Sequence, residues 1–155
     1  MKTTGCPLEE LLHEAAELMF TGRYEEAIAQ YNCADTSRAN TCCQAVICNN
    51  KGFCYKNVDQ YDCAMDNLFA AIRIVPDFSN PHAILGDMYQ EIGEDDNAQR
   101  FYLKTLEIIS LVRPEQLNKN DYRAYIRAEA GLELMGFELP QQYRTLGKIL
   151  ETFKK

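Results

Sequence analysis

The chain has 155 residues, 46% of them hydrophobic and 25% charged, enough for a single domain (1–155) with a real core and nothing obligately disordered. Sixteen basic residues face 23 acidic ones, and the net charge of -7 disfavours nucleic-acid phosphates and anionic membrane surfaces. No apolar run approaches the roughly 18 residues of a membrane span. The opening MKTTGCPLEE has no apolar signal-peptide core. A cytoplasmic protein with no membrane insertion is expected.

In chain order, Leu11, Ala15 and Leu18 mark the apolar stripe of a first helix, which TGRY breaks at Gly22. Tyr24, Ala27, Tyr31 and Ala34 form a second stripe at steps of three and four. The segment DTSRANTCC, 35–43, is rich in turn formers and reads as a loop. The next pair of helices breaks at NVDQ and continues through Tyr61, Ala64, Leu68 and Ala71 until Pro76 stops it. A third pair turns at IGEDD and carries Ala98, Phe101, Tyr102 and Leu106 on its second helix. After RPEQLNKND, which either lengthens a helix or forms an extended loop, a helix is expected over 121–136, with Asp121 capping its start and Gly136 its end. Pro140 then suits the first turn of a last helix whose stripe is Tyr143, Leu146, Ile149, Leu150 and Phe153. This pair is either a divergent fourth hairpin or a closing cap, over about 118–155.

The pairs repeat. CNNKGFCY (48–55) lies 34 residues before HAILGDMY (82–89), so that Gly52 aligns with Gly86, Tyr55 with Tyr89, Ala64 with Ala98 and Leu68 with Tyr102. A weaker copy precedes by 37, placing Ala15, Tyr24, Ala27, Tyr31 and Ala34 before Gly52, Tyr61, Ala64, Leu68 and Ala71. The extra three residues belong to the loop 35–43. Small residues at 15, 52 and 86, and alanines at 27, 64 and 98, let paired helices approach; large neighbours fill the gaps beside them. One such hairpin cannot bury its own apolar face, so it stacks on the next.

On these residues the chain resembles the tetratricopeptide repeat family, whose W-x2-L-G-x2-Y and A-x3-F pattern is met in pieces by HAILGDMY with AQRFY, by CNNKGFCY with AMDNL, and by LLHEAAEL with AIAQY. The resemblance covers about residues 8–112, in repeats at about 8–41, 45–78 and 79–112. It implies an all-α fold of antiparallel hairpins stacked as a right-handed superhelix, ended by the divergent C-terminal helices. It also implies a concave face built by the first helix of each unit. There the period projects Leu12, Ala16, Met19 and Phe20 from the first unit, then Val46, Asn49, Asn50, Phe53 and Asn57 from the second. The third unit adds Asn80, Ala83, Asp87 and Gln90.

The expected function is therefore non-catalytic: a partner's peptide or helix anchors apolar side chains near Phe20 and Phe53 while asparagines bond its backbone. The alternatives are a scaffold or homo-oligomer subunit acting through the convex face or the C-terminal helices, and a chaperone like those that hold secretion translocators. Some family members clamp a carboxylate tail with lysines, arginine and asparagines. Here only Asn50 matches, whereas Leu12, Ala16, Asn80 and Ile84 occupy positions where charged or polar groups are required. Two carboxylates buried without cations are costly, so that activity is not expected.

Seven cysteines without a secretory signal point to reduced thiols. Cys33, Cys48, Cys54 and Cys63 lie at or beside core positions and act as small hydrophobes. Cys42 and Cys43 fall in the loop as candidate oxidisable thiols. The cluster lacks the paired spacing of a zinc site, and only His13 and His82 add imidazoles. No phosphate loop, calcium loop or base-activated nucleophile is evident. No cofactor, metal or catalytic residue is expected.

Overall fold

The computed structural model describes residues 7–34 and 36–153, and Cys6 lies outside them. Every regular element among the described residues is helical. The helices are α1 (Pro7–Phe20), α2 (Tyr24–Cys33), α3 (Thr41–Asn57), α4 (Tyr61–Ile74), α5 (Ser79–Glu91), α6 (Asp95–Ser110), α7 (Lys119–Leu134) and α8 (Gln141–Leu150). Short 3-10 turns lie at Thr36–Arg38, Pro114–Gln116 and Glu151–Phe153. The chain forms two compact units, Met1–Pro76 and Asp77–Lys155.

In the first unit α1 pairs with α2 and α3 with α4, while α3 also packs on α2 and touches α1. Its core contains Ala15, Met19, Ala27, Ile28, Tyr31, Ile47 and Cys54. The hairpin α3–α4 is close because Gly52 has no side chain: a Cβ there would sit 2.6 Å from Leu68 Cγ. In the second unit α5 pairs with α6, and α7 packs on both. Tyr102 and Tyr125 lie at the heart of a core with Leu106, Ile109, Leu132 and Leu150.

One turn closes the first helix of all four pairs. Gly22 (φ 79°), Asp59 (φ 58°), Gly93 (φ 80°) and Gly136 (φ 73°) each adopt the left-handed conformation. Gly22 N–H donates to Met19 O at 3.2 Å, and Arg23 N–H donates to Leu18 O at 2.9 Å. The same two bonds recur at Asp59 and Gln60, at Gly93 and Glu94, and at Gly136 and Phe137. These satisfy carbonyls that a helix end leaves open. In the first three pairs the next residue is already the N-cap of the second helix: Arg23, Gln60 and Glu94. In the fourth pair the N-cap is Pro140, three residues beyond Phe137.

The same register explains why the fourth pair diverges. Seven residues before the left-handed position stand Ala15, Gly52 and Gly86, but then Glu129. A glutamate cannot admit a closely packed partner helix at that level. Glu129 instead accepts a hydrogen bond from Tyr125 Oη at 2.8 Å.

Local structure departs from expectation at the loop after α2, at the cap of α7 and at two cysteines, and settles the open alternative before α7. The loop after α2 is shorter: Asn40 caps α3 by accepting from Cys43 N–H at 2.8 Å, so Cys42 and Cys43 belong to a helical first turn. Asn118, not Asp121, caps α7; Asp121 completes a capping box by accepting from Asn118 N–H at 3.1 Å. The residues between α6 and α7 form a connection with one 3-10 turn, and α7 runs over Lys119–Leu134 with Gly136 just beyond it. Finally, Cys33 and Cys63 are exposed rather than packed, because they point away from the stripes of α2 and α4; Cys54 is fully buried and Cys48 half-buried.

Candidate functional site

The residues projected onto a binding face in the first unit lie on α1 and α3. Along α3, Val46, Asn50, Phe53 and Asn57 recur at steps of three and four and share one side of the helix. Val46 is 46% exposed and Phe20 68% exposed. Both are large apolar side chains on the exposed sides of their helices, Phe20 on α1 along with exposed His13 and Glu17. Phe53 is half-buried, its ring set edge-on to Tyr24 at 6.1 Å and 74°. Leu12 is half-buried beside the same core.

A polar ladder runs beside these groups. Asn49 donates its amide to Asn50 Oδ1 at 3.2 Å, and Asn50 donates to Tyr31 Oη at 3.0 Å. Burial pushes the Tyr31 hydroxyl pKa up, against the weaker opposing effect of the Asn50 bond. Asn49 Oδ1 is buried with no hydrogen-bond partner among the described residues. Asn57 donates to Phe53 O at 2.8 Å and holds one end of the face.

Met19 and Asn49 are buried, Leu12, Asn50 and Phe53 half-buried, and Phe20 and Asn57 exposed. These seven belong to the first unit. Asn80 and Asp87 lie on α5 in the second unit and are half-buried. Asp87 is engaged within that unit: Arg127 on α7 donates to its Oδ2, and Tyr102 Oη lies 2.9 Å from its Oδ1 and 3.0 Å from Gln90 Oε1. Burial chiefly, with the Asp87 charge added, pushes the Tyr102 pKa far up. Sequence reasoning missed Arg127 because the left-handed residue of the fourth turn, Gly136, lies 43 residues after Gly93 instead of 34. No projected register reached α7.

Among the described residues, no group of three His, Cys, Asp or Glu side chains is placed to hold a metal. His13 is exposed beside Glu17, at 3.4 Å, and His82 is buried against Phe101. No helix of the described residues is long and apolar enough to cross a membrane.

No family model matches the sequence. No curated protein matches it either. Solved structures do. Two structures of MamA are each 24% identical with a TM-score of 0.61 over 96% of this chain, covering 78% and 74% of theirs. The TPR domain of Sgt2 from Aspergillus fumigatus is 20% identical with a TM-score of 0.62, over 84% of this chain and 83% of its own. At such identity the likeness is one of fold: an all-α arrangement of stacked helical hairpins similar to that of TPR-like proteins.

Proposed function

We propose that this chain is a non-catalytic protein-interaction module, an adaptor or chaperone-like subunit of the cytoplasm that takes a partner's peptide or helix on the α1–α3 face. The observations that carry the reading are the exposure of Phe20 on α1 and of Val46 on α3, and on α3 also half-buried Phe53 and Asn50, which bonds Tyr31. Apolar anchors there would gain by burial, and asparagine amides can bond an extended backbone. The likeness in fold to a TPR domain supports it. Photo-crosslinking tests it: benzoylphenylalanine replacing Phe20 should yield a discrete adduct in cells, whereas the same group replacing exposed Asp66 on α4 should not. Equal adducts from both positions would move the site off this face.

A second reading, a subunit that associates with itself through its C-terminal helices, draws on α7. Ile126 and Leu134, eight residues apart on one side of that helix, are 40% and 81% exposed. Light scattering would show a dimer or larger species that Leu134→Glu returns to a monomer.

A further inference from the structure

A cleft of about 870 Å3 opens in the second unit between α6 and residues 137–143, and shares no residue with the face proposed above. Its floor is Phe101, stacked on Tyr89 with ring centres 5.3 Å apart and planes 7° from parallel. Its opposite wall includes Phe137 and Tyr143, both half-buried. Phe137 begins the stretch that separates the fourth left-handed turn from α8, the stretch the first three pairs lack. The departure from periodicity and the cleft thus share residues.

The rim is cationic. Arg100 and Lys104 stand one turn apart on α6, on the same side as the Phe101 floor. Lys104 holds Glu107 at 3.1 Å, whereas Arg100 is exposed and makes no ion pair among the described residues. On a chain of net charge -7, the residues lining this apolar trough include two cations, Arg100 and Lys104, against one acid, Glu107. Aromatic walls bind large apolar side chains well, and a guanidinium takes a carboxylate through two parallel bonds.

We infer that this cleft is a second peptide site, taking an acidic segment that inserts an aromatic or leucine side chain against Phe101 and Tyr143 and sets its neighbouring carboxylate on Arg100. The partner is a protein segment and not a nucleic acid, because the net charge of the whole chain repels a continuous phosphate backbone. The Arg100 contact needs only one carboxylate.

The test is selection of a phage-displayed library of random twelve-residue peptides on the full chain. The affinities of enriched peptides are then measured by fluorescence polarisation. Enriched sequences should pair an aromatic or leucine with Asp or Glu. Their affinity should fall about tenfold or more in Arg100→Glu/Lys104→Glu, the scale of losing a charge-assisted bidentate contact. It should stay within about twofold in Phe20→Glu, which alters only the first-unit face. Both variants change surface side chains, and a thermal melt verifies their folding. Failure to enrich any peptide, enrichment without acidic residues, or indifference to the charge reversal would overturn the site. Loss of every enriched peptide in Phe20→Glu would also overturn it, by moving all of them to the other face. Tighter capture of an oligothymidylate than of any selected peptide would overturn the choice of a protein segment.

Discussion

Tyr102 is enclosed by two glycines. A Cβ on Gly86 would lie 2.5 Å from its Cδ1 and Cε1, and a Cβ on Gly131 would collide with the other edge of the ring. The ring is 1% exposed and its hydroxyl is held by Asp87 and Gln90, so it has nowhere to move. Alanine in a helix gains about 1 kcal/mol over glycine, but overpacking a closed core costs about 1–3 kcal/mol. Gly86→Ala and Gly131→Ala should therefore each lower the urea midpoint, and a raised midpoint would show that the ring can shift. Gly86 was legible from the repeat, whereas Gly131 was not, because its helix falls out of step. The cysteines divide by the same logic of burial. Cys54 is fully buried and burial pushes its pKa up to about 12, while Cys33, Cys42 and Cys63 are exposed. Pulsed iodoacetamide read by mass spectrometry should label those three first and Cys54 only on unfolding. Rapid native labelling of Cys54 would contradict the packing of α3.

At the scale of elements, helix ends were less legible than helix faces. The period located the apolar stripes because packing needs the right residue types at fixed steps, and the structure pairs helices around those positions. Caps depend on which of several adjacent polar residues reaches a free N–H. Asn40 and Asn118 do so, where turn-forming neighbours in DTSRANTCC and RPEQLNKND offered rivals. Asn40→Ala and Asn118→Ala should each cost about 0.5–2 kcal/mol, the second more because it also breaks the capping box. Urea denaturation followed by circular dichroism measures both, and a neutral Asn118→Ala would mean that Asp121 alone organises the start of α7. Glycine marked three of the four hairpin turns, whereas the second takes its left-handed residue from Asp59, whose side chain tolerates it.

For the whole molecule, buried hydroxyls and a thiol couple stability to alkaline pH. Burial raises the pKa of Cys54 to about 12 and moves Tyr31, Tyr102 and Tyr125 upward as well. The folded chain keeps protons that the unfolded chain releases near its ordinary values, about 8.5 for cysteine and 10 for tyrosine. The stabilising effect is complete below those values and is lost as pH rises through 9 toward 12. The urea midpoint should fall progressively over that range. A flat profile to pH 11 would mean that these groups titrate normally in the fold. The Asp87–Arg127–Tyr102 network links α5, α6 and α7 within the second unit. It was invisible to a reading that placed Asp87 on a binding surface without knowing what faced it.

The proposed function requires a partner held on the α1–α3 face. It is tested most directly by capture from a native lysate with wild type and Phe20→Glu side by side, read by quantitative mass spectrometry. Phe20 is 68% exposed, so the substitution should change stability by no more than about 0.5 kcal/mol. A partner should be enriched on wild type and depleted on the variant. A partner retained equally by both would place binding elsewhere on the chain and contradict the claim.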